Sequence, residues 1–295
     1  MSTPNGSKAK ASKQKAKTKL IAVLIAIVAV IAVVVGVVVW QQSQNKGQRT
    51  ITVGVVGNAD DDIWKTIQSE LDAEHANIKI ETKSFQDGIY ANQAQDNGEL
   101  DLTSFQHYAF LNQEIAEKGY KLSVIGDTYI MSFNLYSEKY KSVKDFKPGD
   151  KVAIPNNPTN QGRALKVLDE AGLIKLKDKT KENPTTDDVA ENPSGIVIDP
   201  IAAEQILNLL PDYAGGITNT NFVTDAGKDP NSAIYIPKLT PGDATYKPYV
   251  NVIVAQTSKK DDPDYKKIVD AYHTKQVADI INTQYKGSVI PMFEY

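Results

Sequence analysis

Residues 50–82 read TITVGVVGNADDDIWKTIQSELDAEHANIKIET, and this stretch decides the fold class. Thr50 to Gly57 is short, β-branched and closed by a glycine, which predicts a buried strand. Asn58 to Asp62 supplies capping residues for a helix that carries Ile63, Trp64, Ile67 and Leu71 at helical spacing. Ile78 to Thr82 alternates and predicts the next strand. Strand, helix, strand in this order starts a parallel sheet covered by helices.

The alternation continues outward. A weak helix is predicted over Tyr90–Asn97, a strand over Leu100–Phe105 and a helix over Ala109–Lys118, ended by Gly119. Strand segments follow within Lys121–Tyr136, and Lys151–Ile154 is a strand that runs into Pro155–Asn160. Helical spacing holds from Gln161 to Ala171, with Gly172 as the terminating residue. Ala202–Leu210 reads as an amphipathic helix, Gly216–Phe222 as a short strand or strand end, Tyr249–Ala255 as a strand and Asp264–Tyr285 as a helical tail. The whole is an α/β chain without an internal repeat.

Upstream lies LIAVLIAIVAVIAVVVGVVVW, Leu20 to Trp40, an uncharged run of 21 residues preceded by six lysines. A helix of that length reaches about 31 Å, one hydrocarbon core. The run predicts one transmembrane anchor (20–40) behind a lysine-rich cytoplasmic segment (1–19). By the positive-inside rule everything after residue 40 is extracytoplasmic. A cleaved signal is the rival reading, but its apolar core is shorter and ends in a small-residue site that is not found here. Gln41 to Arg49 reads as a short polar tether (41–49).

Setting those six lysines aside turns the formal charge of −3 into −9 for residues 20–295. An acidic domain argues against nucleic acid and against an anionic lipid surface. The absence of cysteine excludes disulfides, thiol nucleophiles, thiolate metal sites and lipid attachment through a cysteine. No G-x-S-x-G elbow, H-E-x-x-H helix or phosphate loop is present, so an enzyme is the weakest reading. The three histidines lack partners at ligand spacing, so neither a metal nor a cofactor is expected.

Open α/β sheets bind ligands beyond the carboxyl ends of their strands. Two polar loops fall there, Ser104–His107 and Asn156–Arg163. The second joins free backbone amides, a helix N-terminus and an arginine, a combination that suits a carboxylate or phosphate. On chemistry alone, as an isolated match, it reads first as a set of capping asparagines with Arg163 on a solvated face.

The residues carry a further signal. Phe105-Gln106-His107, then GYKL at 119–122, VAIPNNPTNQGR at 152–163, AGLIKLK at 171–177, Glu191-Asn192-Pro193 and Tyr249-Val250-Asn251 occur in one order and spacing. This series resembles the MetQ/NlpA family of substrate-binding proteins over Ile51 to Tyr295. The resemblance implies a two-lobed periplasmic-binding-protein-like clamp with two crossover segments, at 130–135 and 249–255. It divides the domain into residues 50–132 plus 252–295 and residues 133–251. It implies no cofactor, a ligand of the L-methionine or related amino-acid type, and an ABC permease with its ATPase as partners. Mapped by motif, Arg163 pairs with the ligand carboxylate, Asn160 completes that end, and Asn219 holds the amino-acid backbone. Phe105, His107 and Phe110 line the side-chain pocket, where rings suit a thioether; as isolated residues the phenylalanines would read as core and Asn219 as a turn.

Three departures qualify the match. The family pattern F-N-D-Y reads Phe85-Gln86-Asp87-Gly88 here, so either Tyr90 replaces the missing ring or the pocket is larger. Phe110 stands where the family has tyrosine, and residues 195–216 are shortened. A membrane-anchored binding, sensory or adhesion module for another amino acid or short peptide, without a transporter, is the alternative function.

Overall fold

The structure, a computed structural model, describes residues 47–239 and 244–295. The predicted anchor, the lysine-rich segment and most of the tether lie outside the described residues, and among the described residues no helix is long and apolar enough to cross a membrane.

From its start the chain runs β1 (Arg49–Val56), α1 (Asp61–Ala73), β2 (Ile78–Phe85), α2 (Gly88–Asp96), β3 (Leu102–His107), α3 (Tyr108–Lys118) and β4 (Leu122–Met131). It then passes to β5 (Leu135–Tyr136), β6 (Lys151–Pro155), α4 (Pro158–Glu170), β7 (Lys175–Leu176), β8 (Val189–Glu191) and β9 (Val197–Ile201). The rest is α5 (Ile206–Leu209), β10 (Gly215–Ile217), α6 (Thr220–Asp225), β11 (Val250–Gln256), α7 (Pro263–Tyr272), α8 (Lys275–Gln284) and β12 (Val289–Pro291).

Two sheets result. One has six strands in the order β12-β4-β11-β3-β1-β2, the other four in the order β5-β10-β6-β9. β1 and β3 run parallel, whereas β11 is antiparallel to both β3 and β4. In the smaller sheet β6 is parallel to both β9 and β10. The chain leaves the first sheet after Met131, enters the second at Leu135, and returns to the first as β11.

Each sheet has its own core. Ile63, Trp64, Ile67 and Leu71, the predicted apolar face of α1, pack with β1 and with Tyr265, Ile268 and Ile281 of α7 and α8. Ala164, Leu165 and Leu168 of α4 pack against Val152 and Ile154 of β6 in the other. Burial of such faces against a sheet, more than helix propensity, holds these helices.

Several local expectations are corrected. Asp60 is the N-cap of α1 but makes no side-chain cap bond. Its carboxylate instead accepts the hydroxyls of Tyr129 and Tyr285, each at 2.6 Å. The predicted helix over 202–210 is one four-residue α-turn, α5, between 3-10 turns. The helical tail is two helices, because Thr274 caps a new one with its hydroxyl on the Val277 amide.

Candidate functional site

A cavity of about 230 Å³ opens where the two sheets face each other. Phe105, Phe110 and Ile89, from the six-stranded side, give it an apolar wall. Asn156, Asn160 and Asn219, from the four-stranded side, give it a wall of amides. The arrangement follows from two strand ends: β3 delivers Phe105 and His107, and β6 runs into the loop that opens α4.

The Phe105-Gln106-His107 segment is held at every residue. Gln106 exchanges two bonds with Asn92 of α2, at 2.6 and 2.8 Å, and so fixes the strand from behind. His107 is the N-cap of α3, its Nδ1 accepting the Phe110 amide at 3.1 Å. That bond leaves the proton on Nε2, which faces Asn160 Oδ1 at 3.1 Å. The bond joins the two sheets across the cleft. Burial pushes the His107 imidazole down to about 4; the nearby Arg163 charge acts in the same direction and the Asn160 bond opposes it. The ring is therefore neutral at physiological pH. Phe110 meets Phe105 and His107 edge to face, with centroids 6.3 and 6.4 Å apart.

Opposite, Asn157 caps α4 by accepting the Asn160 amide at 3.1 Å, which turns the Asn160 side chain to His107. The capping role read for these asparagines is thus real for Asn157. Asn219 opens α6 without spending its side chain on a cap, and that side chain faces the cavity.

Five of the seven residues picked from the sequence meet at this cavity: Phe105, His107, Phe110, Asn160 and Asn219. Tyr90 does not. It is 63% exposed on α2 and absent from the wall. At about 100° per residue it is turned some 200° from Gly88, so it cannot take the place of a ring at 88.

Arg163 does not line this cavity either. It is only 6% exposed, with its guanidinium between the rings of Phe133 and Tyr249, 4.7 and 4.5 Å from their centroids. Its Nη2 donates to the carbonyl of Met131 at 2.6 Å, and Met131 is itself a cavity residue. Arg163 faces a second cavity, about 490 Å³, shared with Lys166 and Tyr249. Among the described residues no carboxylate pairs with it, and only the Tyr249 and Tyr246 hydroxyls favour its charge. Burial alone draws this guanidinium down to about 10. The solvated face allowed by the sequence is excluded.

Sequence reasoning missed Asn251, Asn221 and Met131 as cavity residues. Asn251 stood in the Tyr249-Val250-Asn251 motif, the one available signal, whereas Met131 and Asn221 sit in segments without a motif. No group of histidines or acids that could hold a metal occurs among the described residues.

Comparison with known proteins agrees with this architecture. A family model described as NlpA lipoprotein matches residues 51–293. The D-methionine-binding lipoprotein MetQ of Yersinia pestis is 35% identical over 248 residues, spanning 83% of this chain and 89% of its own. A nutrient binding protein from Burkholderia cenocepacia, solved bound to methionine, is 38% identical with a TM-score of 0.76, covering 82% of this chain and 100% of its own. The substrate binding protein of a methionine transporter from Streptococcus pneumoniae is 33% identical, TM-score 0.76, over 82% of this chain and 95% of its own.

Proposed function

The chain belongs to the NlpA lipoprotein family, and from that premise we propose that it is an extracytoplasmic binding protein that captures methionine or a close derivative for an ABC importer. It shares the two-lobed α/β fold of the methionine-binding relatives and is a binding protein, not an enzyme. In this reading residues 50–132 plus 252–295 form one lobe and 133–251 the other. The segment Leu20–Trp40 anchors the clamp in the membrane, and a permease with its ATPase receives the ligand.

One observation carries the ligand class. Among the described residues Arg163 is a buried cation without a carboxylate partner, three residues from Asn160 on the same face of α4. A buried charge is costly unless it is paired, and two aromatic rings offset only part of that cost. In this reading the ligand carboxylate sits at the asparagine wall and supplies the missing anion once the guanidinium turns to it from the second cavity, leaving the Met131 carbonyl that borders the cleft. The ammonium group is held by Asn219 and neighbouring amide oxygens, and the apolar side chain lies along Phe105 and Phe110.

Calorimetry with the purified protein tests this. L- or D-methionine is expected to bind one to one, and Arg163→Ala to weaken binding by about 2 kcal/mol or more. Absence of heat with either isomer removes methionine as the ligand. An Arg163→Ala protein that binds as well as the parent removes the carboxylate assignment.

A further inference from the structure

Gly88 opens α2 immediately after its N-cap Asp87, whose side chain takes the Ile89 amide at 3.0 Å. A β-carbon built on Gly88 would lie 2.2 Å from Cε2 of Phe105 and 3.0 Å from its Cδ2 and Cζ. The Phe105 ring is therefore seated on the bare Cα of residue 88. Gly88 is not among the glycines with positive φ, so its backbone suits any residue and only the space demands glycine.

The ring has little other room. Its strand pairs with β11 on either side of Phe105, at Ser104 and Gln106, and with β1 at Leu102 and Thr103, and the flanking residues Ser104 and Gln106 are buried. Gln106 is tied to α2 by the paired amide bonds with Asn92. Phe110 stands edge-on at 6.3 Å. Both Gly88 and Phe105 line the cavity, so the open volume beside the ring is the cavity itself.

The geometry points to Gly88 as the residue that sets ligand length, acting through Phe105. The ring lies back on Gly88 and leaves the apolar end of the cleft open to an unbranched apolar side chain of methionine's length. Any side chain at 88 tips the ring forward and shortens that end. The inference rests on the amino-acid reading above and deepens it, assigning the cleft to amino acids with straight apolar side chains. It also explains how the cleft dispenses with a ring at 88: Phe105 occupies the space that a side chain there would need.

Calorimetry across 2-aminobutyrate, norvaline, norleucine, methionine and ethionine tests it, using the parent, Gly88→Ala, Phe105→Leu and the double variant. In Gly88→Ala the ratio of methionine to 2-aminobutyrate affinity is expected to fall by about tenfold or more, the scale of one misfitted methylene. In the Phe105→Leu background the same glycine replacement is expected to leave that ratio within about twofold, since the smaller side chain no longer collides. An equal loss for all ligands, or no change in the ratio, overturns the inference. If the parent binds none of the series, the amino-acid reading fails instead. The Gly88 inference is then decided on unliganded protein, from ring-labelled phenylalanine spectra with Phe105 assigned by its leucine variant. Phe105 ring resonances that are identical in parent and Gly88→Ala overturn it; displaced resonances uphold the seating of the ring on Gly88 that it requires.

Discussion

Across the cleft the two sheets touch at an inner contact, His107 to Asn160, and at an outer one, where Asp225 of α6 takes the Asn58 amide that follows β1. The inner pair is buried, neutral and a single 3.1 Å bond. The outer contact is exposed and carries a carboxylate. The Asp225 oxygens lie 3.2 and 3.3 Å from the Asn58 nitrogen, in a notch left by Gly57, where a β-carbon would lie 1.9 Å from Oδ2. Gly57 also has φ +76°, so glycine is required there twice. Lys286 and Asp229 form an ion pair at 2.9 Å beside it. The difference teaches where a clamp places charge: water screens the outer bridge, whereas the inner one, beside a ligand-sized cavity, must satisfy its polar atoms without ionising.

The largest effect expected from this contrast is in acid. His107 titrates at about 4 in the folded protein against 6.5 when unperturbed. Above pH 6.5 the ring is neutral in both states and costs nothing. Between pH 6.5 and 4 only the unfolded chain takes up the proton, so stability falls as pH falls, by about 3 kcal/mol in all. His107→Gln keeps a neutral polar group and has no such titration. Urea midpoints of parent and variant at pH 7, 5.5 and 4 are expected to converge as pH drops. Parallel curves would show that the inner bridge does not hold a neutral imidazole.

The same contrast separates what was legible in the sequence from what was not. The β-α-β start and the loops at 104–107 and 156–163 were readable because strand and cap signals are local. The meeting of those two loops at one cavity was implied by the resemblance and by the rule for strand ends. The surroundings of Arg163 were not readable. Phe133 and Tyr249, which enclose it, are 30 and 86 positions away in the chain, and no local pattern encodes which side of a helix they approach. Tyr90 was misplaced for a simpler reason, since a helix begins at Gly88 and turns the later residue away from the cleft. Asp60 looked like an N-cap and is one by position. Its side chain is captured by Tyr129 and Tyr285, and that choice is made by packing between distant segments.

A smaller effect is expected at Asp225. Burial raises its pKa and the neighbouring Asp61 charge adds to this, while the Asn58 amide opposes them. Folding therefore disfavours the charged form: the stability this group contributes is present in full below its unfolded pKa and is lost as pH rises through the folded one. Asp225→Asn keeps an oxygen for the Asn58 amide and is expected to equal or slightly exceed the parent at pH 7. Asp225→Ala removes the acceptor and is expected to lose about 1 kcal/mol. Chemical denaturation at pH 7 distinguishes the two; an asparagine variant as weak as the alanine one would mean that the negative charge itself holds the outer bridge.

The smallest effect belongs to Lys286, and it sharpens the comparison most cheaply. Its ammonium reaches Asp229, but the two side chains remain 59% and 45% exposed. The carboxylate is held down first by the Asn231 amide and only second by Lys286. Exposed pairs of this kind lose to side-chain entropy and salt much of what they gain. Lys286→Met is thus expected to leave the urea midpoint at physiological salt where the parent has it, and to leave ligand dissociation, followed by stopped-flow, within about twofold. The Asn231 side chain still bonds the backbone carbonyl of residue 286 at 3.1 Å, a contact the substitution does not touch. A marked salt-sensitive acceleration of ligand release in the variant would show instead that the charged rim holds the two sides of the cleft together.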